Sequence, residues 1–150
     1  MVEEGFRGFG AVVNEVSKLY SEKFDKASRL RTGISLAQYR LLAALALHEG
    51  PKPMSQIELA ERMDITPMGV VGLCQRMEQH GWIKRTPSLT DRRVNQVTME
   101  PAADEAFDAL FAVGNQQADE ALCALSPDER SQLLDMLGRV HLSLRRMAMG

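Results

Sequence analysis

Two helix starts set close together constrain this chain more than any other feature of its sequence. Ser55-Gln56-Ile57-Glu58 fits a capping box, in which the serine side chain accepts from a backbone N–H and the glutamate reaches back to satisfy another. Thr66-Pro67 starts a second helix, because threonine suits the N-cap and proline has no N–H to leave unsatisfied at the first helical position. Between them Leu59, Ala60 and Met63 mark a short amphipathic helix ending near Asp64, and Asp64-Ile65 leaves only a tight connection. The second helix runs to about His80, where Gly81 is placed to end it in the left-handed conformation.

A hairpin follows at once. WIKRT and VNQVTM are short runs with β-branched and aromatic residues, set either side of the turn-forming PSLTD. Other helices flank this core. Ser35-Leu36-Ala37-Gln38 is a second capping box and opens a helix to about Leu47, and Ser126-Pro127-Asp128-Glu129 opens the last helix. That last helix carries Leu133, Leu137, Val140, Leu144 and Met147, a heptad-like stripe. Less sharply bounded helices are expected over about residues 6–30, beginning at Phe6, and about 102–124. The reading is therefore mainly α with a small antiparallel β-hairpin wing: a winged helix-turn-helix lobe over about residues 35–100, flanked by helices over about 6–30 and 102–148, in a single domain spanning 1–150.

Composition removes several classes. Hydrophobic content of 45% and charged content of 25% are ordinary for a globular chain, which leaves little support for disorder or a fibre. The strongest apolar run, LLAALAL from Leu41 to Leu47, is far short of the roughly 20 residues a membrane span needs. The N-terminus has acids where a signal peptide would be basic, so a cytoplasmic location without membrane contact is expected. Cys74 and Cys123 are too few for a disulfide framework or a metal site, and no metal or cofactor is expected. Cys74, beside Leu73 and near Met77, reads as packed core rather than as a redox sensor. The sequence contains no nucleophile elbow, zinc-helix motif or phosphate loop, and His48, His80 and His141 are scattered, so an enzyme is not expected.

Net charge is −2, which taken alone argues against a nucleic-acid partner, yet the charge is unevenly placed. Residues 51–97 hold 7 basic against 5 acidic side chains (+2), whereas residues 98–150 hold 4 against 9 (−5). Over the hairpin, Lys84, Arg85, Arg92 and Arg93 face a single acid, Asp91, a local electropositive edge able to attract phosphates. An ordinary solvated hairpin accounts for the same composition. Position favours the functional reading, because a helix that enters the major groove leaves a neighbouring hairpin beside the backbone or the minor groove.

At this point the chain resembles the MarR-type winged helix-turn-helix transcriptional regulators, from about residue 34 to the last helix. ISLAQYRLLAAL is similar to that family's second helix, SQIELAERMDIT to its helix and turn, RMEQHGWIKR to the end of its recognition helix and first wing strand, DRR to its wing signature, and LSPDERSQLLDML to its last helix. The resemblance implies a sequence-specific DNA-binding regulator, a homodimer interlocked through its first and last helices, on a pseudo-palindromic double-stranded operator with half-sites about 34 Å apart. It implies a repressor released by a small aromatic or phenolic ligand. It further implies that Asp91 holds the wing through an ion pair, that Arg93 enters the minor groove, and that Arg92 and Arg85 contact phosphate, with Ser88 as a further DNA-binding residue of the wing.

The recognition helix departs from the family's habit. It reads TPMGVVGLCQRM, so that Met68, Gly69, Val71 and Gly72 follow Thr66 and Pro67 where polar donors are usual, and only Thr66, Gln75 and Arg76 supply hydrogen-bonding side chains. Specificity is then expected to lean on the wing and on DNA shape. The alternative is a winged-helix protein-interaction module that has lost strong DNA readout. For the ligand crevice seen in many relatives, Tyr20, Phe24, Tyr39 and Trp82 are candidates, with His48 and Phe107, and Arg29 or Arg31 as carboxylate partners. The competing reading is core packing, with Trp82 anchoring the wing.

Overall fold

The capping chemistry places the helices in the computed structural model, which describes residues 8–150. Helix α1 (Phe9–Thr32) ends at Gly33, whose φ of 77° lets its N–H close on the Arg29 carbonyl at 2.9 Å. The expected start at Phe6 lies outside the described residues. Helix α2 (Leu36–Ala46) and α3 (Gln56–Met63) both begin in complete capping boxes, at Ser35 and Ser55. Helix α4 (Pro67–Gln79) starts on Thr66, and Gly81 takes the expected positive φ just beyond its end. Helix α5 (Pro101–Ala121) begins with proline in its first turn, and α6 (Pro127–Met149) with a third complete capping box at Ser126.

Among the described residues, those from Gly8 to Gly114 form one compact unit and Asn115–Gly150 a second. In the first, Leu41 and Leu42 of α2, Leu59 and Ala60 of α3, and Val70, Leu73, Cys74 and Met77 of α4 are buried together. The α4 set follows the i, i+3, i+4, i+7 spacing of one helical face, so its opposite face is left to solvent. Asp25 joins α1 to α2: its carboxylate accepts from the Leu36 N–H at 2.8 Å and from Arg29 Nε at 2.8 Å. That backbone hydrogen bond, ahead of the arginine, holds the Asp25 carboxyl below its ordinary range.

The sheet has one strand more than the sequence suggests. Strand β2 (Ile83–Pro87) pairs antiparallel with β3 (Asn95–Met99), from Ile83 opposite Met99 to Pro87 opposite Asn95. Strand β1 (Met54–Ser55) adds to the far side of β3, Met54 opposite Val97, giving the order β1-β3-β2. Two residues are too short to show alternation, and Ser55 is also the cap of α3, so only the helix signal is visible in the sequence. Its effect is to staple the base of the wing to the start of the helix pair.

In the second unit, Arg130 ties the start of α6 to the chain before it, donating from Nε to the Leu122 carbonyl at 3.1 Å and pairing with Asp119 at 3.3 Å. No residue of α6 is buried, and Leu137, Leu144 and Met147 of the heptad-like stripe are exposed. Among the described residues no helix is long and apolar enough to cross a membrane.

Candidate nucleic-acid interface

The turn between α3 and α4 is made by Asp64 in the left-handed region, φ 54°, and by the Ile65 N–H reaching the Ala60 carbonyl at 3.1 Å. Aspartate tolerates this conformation better than most residues, which suits it to a turn this short. Thr66 Oγ1 then accepts from the Gly69 N–H at 3.0 Å. A Cβ on Gly69 would sit 3.0 Å from that hydroxyl, so the glycine relieves crowding at the cap. Gly72 is different, since a Cβ there would make only an ordinary 3.5 Å contact with Arg76 Nη1. Packing within the chain does not require it.

The outward face of α4 presents Pro67, Met68, Gly69, Val71, Gln75 and Arg76, all exposed, with Gly72 half-buried. Met68 is 85% exposed and Val71 44%. Polar side chains are sparse at its N-terminal end.

The wing tip is polar and internally bonded. The Ser88 N–H donates to the Val94 carbonyl at 2.7 Å, and the Ser88 hydroxyl lies 3.0 Å from that of Thr90 while accepting the Thr90 N–H. Ser88 is buried, so it builds the turn rather than offering its hydroxyl outward. Asp91 Oδ1 accepts from the Arg93 N–H at 3.0 Å and from Arg93 Nε at 3.2 Å, with Nη2 at 3.5 Å from the other oxygen. These bonds, side chain first, hold the Asp91 carboxyl below its ordinary value. The partner of Asp91 is thus Arg93 itself, whose side chain is 91% exposed and leaves the tip with its guanidinium aligned by the carboxylate. Arg92 is exposed next to it, and Lys84 is exposed toward the base of β2, opposite Thr98.

Arg85, expected to contact phosphate, binds Glu78 of α4 twice, through its backbone N–H at 2.9 Å and Nη2 at 3.0 Å, and its side chain is 20% exposed. The guanidinium next to Glu78 pushes that carboxyl below its ordinary value, helped by the backbone bond. Sequence reading missed Glu78, because an acid seven residues upstream across a helix end carries no periodic signature. With Trp82, whose N–H reaches the Met77 carbonyl and whose own carbonyl accepts from Glu100, it clamps the wing to the recognition helix.

Three of the four ligand candidates come together elsewhere in this unit. Phe24 and Tyr39 have ring centroids 4.8 Å apart, Tyr39 stacks on Phe107 at 5.4 Å, and Tyr20 is near enough to disfavour the tyrosinate of Tyr39 further, after burial itself. Phe24 is core. Trp82 is not among them; it packs on the core at the wing base. Arg29 is engaged by Asp25, and His48 Nε2 lies 2.8 Å from the Lys52 carbonyl. Cys74 is fully buried and its thiol is pushed up by desolvation, as a packed cysteine should be, while Cys123 is exposed.

Comparison with known proteins agrees with this geometry. Residues 32–94 match the model of the MarR family. Among solved structures, the Staphylococcus aureus MepR–DNA complex superposes with a TM-score of 0.79 at 18% identity, over 92% of this chain and 99% of that one. A probable transcriptional regulator from Pseudomonas aeruginosa gives 0.74 at 23% identity over 88% and 96%, and a MarR-family regulator from Rhodococcus sp. RHA1 gives 0.75 at 20% over 87% and 90%. Residues 32–94 thus resemble the MarR family, and the chain as a whole shares the winged helix-turn-helix fold of these solved structures.

Proposed function

We propose that this chain is a sequence-specific DNA-binding transcription regulator that works in the cytoplasm as a homodimeric repressor, released from its operator by a small aromatic or phenolic ligand. The observation that carries the reading is the pairing on one lobe of an exposed recognition-helix face with a wing whose Arg93 is held out by Asp91. A helix of this size fits the major groove, and an arginine on an adjoining hairpin fits a narrow minor groove, where negative potential is concentrated. Thr66, Gln75 and Arg76 are the hydrogen-bonding readers, Arg92 and Arg93 the electrostatic ones. The MepR relative was solved bound to DNA.

The dimer is supported by apolar side chains left exposed on two helices: Val12, Val13, Val16 and Leu19 on α1, and Leu134, Leu137 and Leu144 on α6. Apolar surface of that extent usually marks an interface. A two-fold dimer places two recognition helices about 34 Å apart, one turn of DNA, and a protein lying there blocks polymerase. Tyr20 and Tyr39 offer a ligand aromatic contacts and hydroxyl partners.

Selection of bound fragments from a random duplex pool tests the reading. It should return a pseudo-palindrome with half-site centres about 10 base pairs apart, bound with affinity that falls steeply as salt rises. The apolar end of α4 favours one rival, a protein-interaction module, and failure to retain any duplex at low salt would decide for it.

A further inference from the structure

The end of α4 that the proposed function sends into the major groove is hydrocarbon. Met68 is 85% and Val71 44% exposed, and Pro67 completes the surface. Ile57 of α3, 57% exposed, extends it into a notch of about 170 Å³ whose other walls are Val70, Val94, the polar Gln56 and Asn95, and the wing residue Arg93. The helix side of the strip is therefore mostly apolar, with polar groups and a cation at the wing side. That charge placement fits a polyanion carrying methyl groups better than it fits an apolar partner surface.

Base edges in the major groove offer only one apolar group, the C5-methyl of thymine; the rest are hydrogen-bond donors and acceptors. Apolar side chains pressed against guanine or cytosine edges would strip those polar atoms of water and return no partner. Against thymine they bury a methyl. Gly72, which packing within the chain does not require, keeps the surface next to Val71 free of a further side chain and lets the backbone approach.

Building on the DNA-binding reading, we propose that Met68 and Val71 are specificity-determining residues that read the 5-methyl groups of pyrimidines, so that each half-site contains thymine opposite the start of α4. The same contact accepts 5-methylcytosine, which presents the identical methyl. Recognition by this helix is then a shape-and-methyl reading, with Gln75 and Arg76 supplying the polar contacts further along.

Uracil-for-thymine substitution tests this on the full-length protein, since it removes only the methyl. A duplex taken from the random-pool selection is compared with the same duplex carrying uracil at single half-site positions. Loss of about fourfold in affinity per critical thymine, equivalent to about 0.8 kcal/mol, is expected. Cytosine at such a position should bind more weakly than 5-methylcytosine. In Met68→Ala and Val71→Ala, both at exposed positions, the thymine-to-uracil ratio should fall toward one. Equal binding of thymine and uracil duplexes at every half-site position would overturn the methyl reading and leave DNA binding intact. Failure to bind any duplex would overturn both.

Discussion

The wing tip and the outward start of α4 share one lobe, yet they are built from opposite chemistries. At the tip, Ser88, Thr90, Asp91 and Arg93 satisfy one another, and what projects is a guanidinium aligned by a carboxylate. At the start of α4 the Thr66 hydroxyl oxygen accepts the Gly69 N–H, and the large side chains that project are methionine and valine. Under the proposed function the wing would supply charge and a reading of groove width, and the helix a fit to base edges. Neither works alone, because both stand on the same packed core.

Cutting that shared support should have the largest effect and erase the contrast. Leu59 of α3 is fully buried in the cluster that also holds Val70 and Met77 of α4 and Ile83 and Val97 of the wing. Leu59→Ala should destabilise the protein by about 2–5 kcal/mol, measured by urea unfolding. Little loss would mean that the helix pair and the wing are supported independently.

The direct contest between the two regions comes next. Arg93→Ala should weaken operator binding roughly 10- to 100-fold, about 1–3 kcal/mol, while Gln75→Ala costs less. Binding by titration at fixed salt decides between them. If Arg93→Ala binds normally and Gln75→Ala does not bind, the division of labour is reversed.

How much of this was legible in the sequence depends on the physics of each element. Caps are local: Ser35, Ser55, Thr66 and Ser126 declare helix starts within four residues, and all four hold. The wing was readable from alternation and turn residues, and Asp91 as its brace from the family resemblance. Strand β1 was hidden because Met54 and Ser55 are defined by a partner over 40 positions away, Val97 and Gln96. The pairing of Arg85 with Glu78 was hidden for a related reason. The arginine's sequence neighbourhood is basic and suggests a phosphate, whereas its spatial neighbour is Glu78 on the preceding helix. Charge in a run reports composition, and pairing reports geometry.

The Glu78–Arg85 clamp sharpens the comparison by linking its two sides, and it should titrate. The folded-state carboxyl lies below its ordinary value of 4.5. Its contribution to stability is therefore fully present above about pH 4.5 and is lost as pH falls through the lower folded value. Glu78→Gln should cost about 1 kcal/mol at neutral pH, modest because the glutamate is partly exposed. Its deficit against the native protein should shrink in urea titrations carried out well below pH 4.5. A deficit independent of pH would show that the clamp acts through packing rather than charge.

The smallest effect separates two neighbouring arginines on the wing. Arg93 is oriented by Asp91, whereas Arg92 is exposed beside it and has no such brace in the arrangement described. An oriented guanidinium can read groove width; an unoriented one contributes mainly by neutralising a phosphate. Arg92→Ala should therefore weaken binding to operator and to unrelated duplex by the same factor, and should reduce the slope of log affinity against log salt by about 0.9. Arg93→Ala should instead lower the ratio of operator to unrelated-duplex binding, because the minor-groove contact depends on sequence-dependent width. Measuring both slopes and both ratios distinguishes the two roles even where the affinity losses are similar. Should Arg92→Ala change the ratio and Arg93→Ala leave it fixed, the carboxylate brace is holding the wing in shape rather than aiming the arginine it binds.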